Sequence, residues 1–241
     1  MAQDNNGRFQ LNLIQYWQLW QGQTEIHVAW RQQRLIAALA IYGPRQRGYL
    51  SGLLWPESPE ARAKESLRTT VHLISRQVPD LLKSEGQMLS LADNVSVDLH
   101  QLLKEIKNFE QPDAQMDEDH LSHLRSGDLL PGWYDDWVLI EQQRLRNIRL
   151  RAFLLLARRW LGRGDIQKAL EAAESALEIE PLHESCVELL MSAEVRAGNR
   201  ARALRTFEAF STSLDIELGI APSKNLMRLA EDIHSSNGGF H

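Results

Sequence analysis

The feature that most constrains this chain is a period of 34 residues in its C-terminal half. Gly164-Asp165 with Ala169-Leu170 returns as Gly198-Asn199 with Ala203-Leu204, and Leu155-Leu156 returns as Leu189-Leu190. Helical repeats of this length are pairs of antiparallel helices, with a glycine where the chain reverses and small residues where the helices cross. Pro181 follows the second helix of one unit, and Gly219 with Pro222 closes the next. The reading gives a long helix over Trp137–Leu161, then the repeat, then a capping helix over Ser223–His234. Such repeats bury their apolar sides on neighbours and leave a groove, so their ordinary use is as an interaction surface. Ahead of them, Asn108–Asp119 is polar and acidic and reads as a loop. In Gly127–Val138, Pro131-Gly132 reads as a turn, and Asp135 or Asp136 can cap the next helix. Trp133 and Trp137 are packing anchors.

Residues 1–100 read differently. Phe9–Trp20 largely alternates, Gly22 breaks it, and with Thr24–Val28 it makes a short antiparallel strand set. Arg31–Tyr42 is a helix with Leu35, Ile36, Leu39 and Ala40 inward, ended by Gly43-Pro44. Gln46–Trp55 is a second helix, stopped by Pro56. A third spans Ser58–Val78, with Ser58 as N-cap and Pro59 at the first helical position. Leu81–Lys83, a Ser84-Glu85-Gly86 turn and Met88–Ala92 form a hairpin. Strands, three helices and a hairpin, in that order, make a winged helix-turn-helix. The fold expected is therefore mainly α: an α+β winged helix in residues 1–100, then an all-α tetratricopeptide-like repeat domain in residues 101–241.

The third helix carries the functional reading. Ala63, Leu67, Val71, Ile74 and Val78 fall on one arc, and Arg62, Glu65, Arg68, Thr69, His72 and Arg76 lie opposite. In a winged order that outer face meets the major groove of duplex DNA, where arginine and small polar groups reach phosphates and base edges. Lys83 and Ser84 at the hairpin's tip, with Arg45 and Arg47 at the start of the second helix, are candidates for backbone phosphate. A solvated face with a basic bias is the plain alternative. The net charge of −5 fits that alternative, but the charge is uneven. Residues 1–100 carry 10 Lys+Arg against 9 Asp+Glu, and the remainder 17 against 23. Distant charges are screened beyond about 8–10 Å, so the first hundred residues are free to meet a polyanion.

Other chemistry finds less support. His120 and His123 stand as HxxH beside Asp117 and Asp119, without a third ligand at a recognisable spacing. Asp135-Asp136 are neighbours that diverge on a helix. Cys186 lacks an activating base and belongs to an apolar pattern. No glycine loop for phosphates occurs, so no catalytic residue, metal or cofactor is expected. A single cysteine, no signal pattern at the N-terminus and no bilayer-length apolar run fit a cytoplasmic protein without membrane contact.

Two regions together resemble a known family. LLWPESPEARA (Leu53–Ala63) and SLRTTVHLISRQV (Ser66–Val78) resemble the OmpR-like winged helix of the Streptomyces antibiotic regulatory protein family. GDLLPGWYDDWVLIE (Gly127–Glu141), Arg144-Leu145-Arg146, the Gly164–Glu184 run and ELGIAPS (Glu217–Ser223) resemble its bacterial transcriptional activator domain. The resemblance covers roughly residues 9–234. It implies a DNA-binding transcription regulator, an activator, whose third helix enters the major groove at promoter direct repeats through Arg62, Arg68, Thr69, His72 and Arg76. It also implies that Trp55, Pro56 and Glu57 lie near RNA polymerase, and that the repeat domain supports a homodimer and contacts to the transcription machinery. A different class remains open: a protein–protein adaptor whose winged helix no longer binds DNA.

Overall fold

The computed structural model describes residues 9–109, 111 and 118–235, the side chains of 118–120 excepted. Among these residues the chain divides into two compact units. The first comprises residues up to 104 together with 126–143, and the second comprises 105–125 and 144 onward.

In the first unit the N-terminal alternating run is two strands rather than one. β1 (Phe9–Asn12) and β2 (Gln18–Gln21) pair antiparallel, Phe9 opposite Gln21, and β3 (Thr24–Glu25) pairs with β2. The chain reverses through Gln15, which adopts φ 69°. Phe9, Leu11 and Leu19 are buried, the inward half of each alternation. Next come α1 (Trp30–Tyr42), β4 (Arg45–Gln46), α2 (Arg47–Leu54) and α3 (Glu60–Gln77). β5 (Leu82–Glu85) and β6 (Met88–Leu91) form the hairpin, followed by β7 (Val95–Val97). β7 returns beside β1 in parallel, giving one sheet of order β3-β2-β1-β7 and a second of order β4-β6-β5.

Leu35, Ile36, Leu39 and Ala40 of α1 are all buried, and Gly43 ends that helix at φ 72° while its N–H bonds Leu39 O. Only a residue tolerant of positive φ stops a helix this way. The first turn of α1 is joined to the end of α3 by side chains. Gln32 Nε2 donates to Gln77 Oε1 at 3.1 Å, and Gln77 Nε2 donates to His27 O at 2.7 Å. Behind β7, Asp98 opens α4 (Asp98–Phe109) and accepts the N–H groups of Leu13 (2.9 Å), Ile14 (3.0 Å) and Leu99 (2.7 Å). Burial pushes the Asp98 carboxyl above its usual range, and these amides pull the other way.

Residues 126–143 belong to this unit. Gln15 N–H bonds Asp128 O, Leu130 N–H bonds Leu13 O, and Trp133 packs on Trp30 with ring centroids 4.2 Å apart. Asp135 caps the following helix through its backbone: Val138 N–H and Leu139 N–H both bond Asp135 O. Its carboxylate instead meets Arg34 at 2.5 Å, and Arg34 also donates to Leu54 O.

The second unit contains α5 (Glu118–Arg125), most of α6 (Asp136–Arg163), α7 (Ile166–Ile179), α8 (Glu184–Arg196), α9 (Arg200–Leu218) and α10 (Lys224–Ser235). The 34-residue period is visible in its turns. Asp165 N–H reaches Trp160 O at 3.0 Å, and 34 residues later Asn199 N–H reaches Glu194 O at 2.8 Å. Gly164 and Gly198 hold φ 84° and 80° in between. Each is a six-to-one helix ending that needs a left-handed residue. Four alanines of α7 (Ala169, Ala172, Ala173, Ala176) are buried and let the helices approach. Val187, Met191, Phe210, Leu214, Leu226 and Ile233 close the far end of this core. Cys186, on α8, is wholly buried, and loss of water pushes its thiol up to about 12. No helix among the described residues is long and apolar enough to cross a membrane.

Candidate nucleic-acid interface

Helix α3 begins at Glu60, with Pro59 in the cap position and extended at ψ 143°. Ser58, expected to cap it, makes no such hydrogen bond; Pro59 O accepts the first helical N–H groups, from Arg62 and Ala63. The 18 residues rise about 27 Å and bury Ala63, Leu67, Thr70 and Ile74, with Val78 just beyond. The inward arc differs from the expected one at a single position. Val71 is only half-buried, and Thr70 is buried in its place, its hydroxyl donating to Ser66 O at 2.8 Å.

Opposite this arc, Arg62, Glu65, Arg68, Thr69, His72 and Arg76 are all exposed. Glu65 accepts from Arg68 at 2.8 Å, so the stacked cations do not all stand free. That pair is exposed on both sides, 76% and 63%. Ion pairs of this kind contribute about 0–1 kcal/mol and give way to a better anion. Lys64 pairs with Glu60 at 2.5 Å, which holds the Glu60 carboxyl below its usual value. Arg62 and Arg76 have no carboxylate partner among the described residues. Leu73, which the periodicity did not single out, is 46% exposed beside them.

At the hairpin the reversal lies one step later than the sequence suggested. Ser84 and Glu85 are in β5, and Gly86 (φ 60°) with Gln87 makes the two-residue turn. A glycine with positive φ at the first central position suits the twist of a short hairpin. Lys83 and Ser84 therefore sit along the strand rather than at its tip. Lys83 is held by Asp93 at 2.5 Å, which raises its pKa. Arg45 is in β4, opposite Leu89, and Arg47 opens α2. The fold brings these candidates together: Arg47 Nη2 donates to Ser84 Oγ at 2.9 Å, and Arg47 N–H bonds Gln87 O. The Arg45 guanidinium lies 5.9 Å and 5.7 Å from the ring centroids of Tyr42 and Tyr49, a cation held over aromatic faces. Strand β4 has two residues, too few to leave a periodic signal.

Trp55 is half-buried after α2, its N–H bonded to Ser51 O, while Pro56 and Glu57 are exposed. Of the HxxH pair, the side chain of His120 lies outside the described residues. His123 faces Glu105 at 3.3 Å. Among the described residues no three His, Cys, Asp or Glu side chains gather to hold a metal ion.

Residues 121–234 match the family described as bacterial transcriptional activator domain. Over 216 residues the chain is 27% identical to the regulatory protein AfsR of Streptomyces coelicolor, covering 84% of this chain and 22% of that protein. It thus spans about a fifth of the length of that curated relative. A solved structure, Mycobacterium tuberculosis EmbR in complex with a low affinity phosphopeptide, is similar with a TM-score of 0.75 at 22% identity. The similarity covers 95% of this chain and 65% of that one, and it shows the fold.

Proposed function

We propose that this chain, whose residues 121–234 match the bacterial transcriptional activator domain, is a member of the Streptomyces antibiotic regulatory protein family and a sequence-specific DNA-binding transcriptional activator that reads the major groove with the outer face of α3. The observation that carries this reading is the exposure of that face. Arg62, Arg68, Thr69, His72 and Arg76 all reach solvent from a helix whose other side is fixed by Ala63, Leu67, Thr70 and Ile74. A rigid helix of this length fits a groove about 12 Å wide. Phosphate contacts from arginine set register, and base-edge contacts set sequence. The Arg45, Arg47, Lys83 and Ser84 group supports a backbone contact by the wing. Arg45 and Lys83 stand on the outer strands of one small sheet, and Arg47, at the start of α2, bonds Ser84 of that sheet.

Trp55, Pro56 and Glu57 are proposed to meet RNA polymerase, and the helical repeats to serve dimerisation or contacts to the same machinery. The operators are promoter sites, read as direct repeats. Selection of bound fragments from random duplex DNA by the full chain tests the reading. One motif is expected, with affinity falling steeply in salt. Replacing Arg68, His72 and Arg76 together by Ala is expected to weaken binding more than ~100-fold, at about 1–3 kcal/mol per base-reading side chain. A chain that selects no DNA, or a triple variant that binds as well as the parent, would leave the adaptor as the better account.

A further inference from the structure

We propose that Leu73 reads a thymine by packing on its C5-methyl group, a specificity contact that rests on the DNA-binding reading above. The pattern of α3 is inverted at two places three residues apart. Thr70, with a hydroxyl, is 2% exposed, and Leu73, with four apolar side-chain carbons, is 46% exposed. The inward threonine is satisfied by Ser66 O, so the helix accommodates a polar group inside while presenting an apolar one outside. Single exposed leucines are ordinary on protein surfaces. This one is set apart by its neighbours. Leu73 lies one helical turn after Thr69 and one before Arg76, so the three form one row on the outer face.

Arg76 and Arg62, which borders the same row, are exposed cations without carboxylate partners among the described residues. A cationic border suits a polyanion. The major-groove edge of DNA offers one apolar group, the methyl of thymine, and arginine cannot discriminate for it. Thr69 and Arg76 supply polar contacts on either side, and Leu73 supplies the largest apolar group of the row, the one best suited to pack on a methyl.

The test uses the fragment selected by the full chain. Each thymine is replaced in turn by deoxyuridine, which removes the methyl and leaves the hydrogen-bonding edge unchanged. At one position the parent chain is expected to bind about fourfold more weakly, the ~0.8 kcal/mol of one buried methyl group. Leu73→Ala is expected to bind the thymine and uracil forms equally at that position, while Leu73→Met keeps most of the preference. Thermal melting confirms that both variants are folded. No position sensitive to the methyl in the parent, or a preference unchanged in Leu73→Ala, overturns the inference while selected binding persists and the DNA-binding reading stands. A chain that selects no DNA at all overturns both.

Discussion

Residues 1–100 hold fewer basic residues than the rest of the chain, 10 against 17, yet the candidate interface is in the smaller set. The difference is in what the guanidinium groups touch. In the second unit Arg149 is 5% exposed, and its Nε and Nη2 donate to Leu124 O and Arg125 O at the end of α5. Arg196 donates to Leu161 O at 2.6 Å, Arg202 bridges Glu174 and Glu194, and Arg125 bonds Ser175. Arg149 and Arg196 close helix ends, Arg202 satisfies the buried Glu194 carboxylate, and Arg125 ties α5 to α7. On α3, Arg62 and Arg76 reach outward from a helix held in place by other residues. Counting charges cannot separate the two uses. A map of partners does.

The largest effect is expected at Arg149. Its replacement by Ala leaves the carbonyls of Leu124 and Arg125 short of donors and should cost about 2–4 kcal/mol in urea unfolding. Arg76→Ala should stay within about 0.5 kcal/mol of the parent. Equal losses would erase the distinction between structural and presented arginines.

A smaller effect sharpens the picture inside the second unit. Glu194 is 1% exposed and meets Arg202 Nε at 2.9 Å and the Thr206 hydroxyl. Burial raises its pKa, and Thr206 and Arg202 only partly offset this. The folded chain therefore holds this proton to higher pH than the unfolded chain does. Its contribution to stability is greatest below the usual glutamate range and declines as pH rises through the raised value. Relative to Glu194→Gln, the parent should lose stability over that rise, as followed by thermal melting at a series of pH values. An opposite slope would mean that the Arg202 pairing outweighs burial.

The smallest effect is expected at Glu65. Glu65→Ala frees Arg68 and removes a negative charge from the outer face. Stability should shift by less than about 0.5 kcal/mol, and DNA affinity should rise by roughly two- to fivefold in a mobility-shift titration. A fall in affinity would show that Glu65 positions Arg68 rather than competes for it.

Much of this fold is legible in the sequence because its signals are periodic. The apolar arc of α1, the arc of α3 apart from one position, and the 34-residue recurrence of Gly164 and Gly198 all predict what is seen. The six-to-one hydrogen bonds at Trp160 and Glu194 are the physical form of that recurrence. What the sequence conceals is short or tertiary. Strand β4 has two residues, and the hairpin turn is displaced because Gly86 can serve either register. Ser58 looks like a cap, but an extended Pro59 takes that position. Nothing periodic in residues 126–143 tells on which unit they pack, because their anchors are single contacts: Arg34 with Asp135 and Trp30 with Trp133. At the candidate interface, the outward face of α3 follows from spacing alone. The Arg68–Glu65 pair, the Arg47–Ser84 bond and the exposed Leu73 require coordinates.

The most direct test of the central claim compares the salt dependence of DNA binding for Arg76→Ala and Arg228→Ala, two exposed arginines, one on α3 and one on α10. Each removes the same charge from the chain. If the outer face of α3 is the interface, Arg76→Ala lowers the slope of log affinity against log salt by about 1, and Arg228→Ala leaves it unchanged. Equal slopes for both variants, or a slope reduced only by Arg228→Ala, would contradict the account.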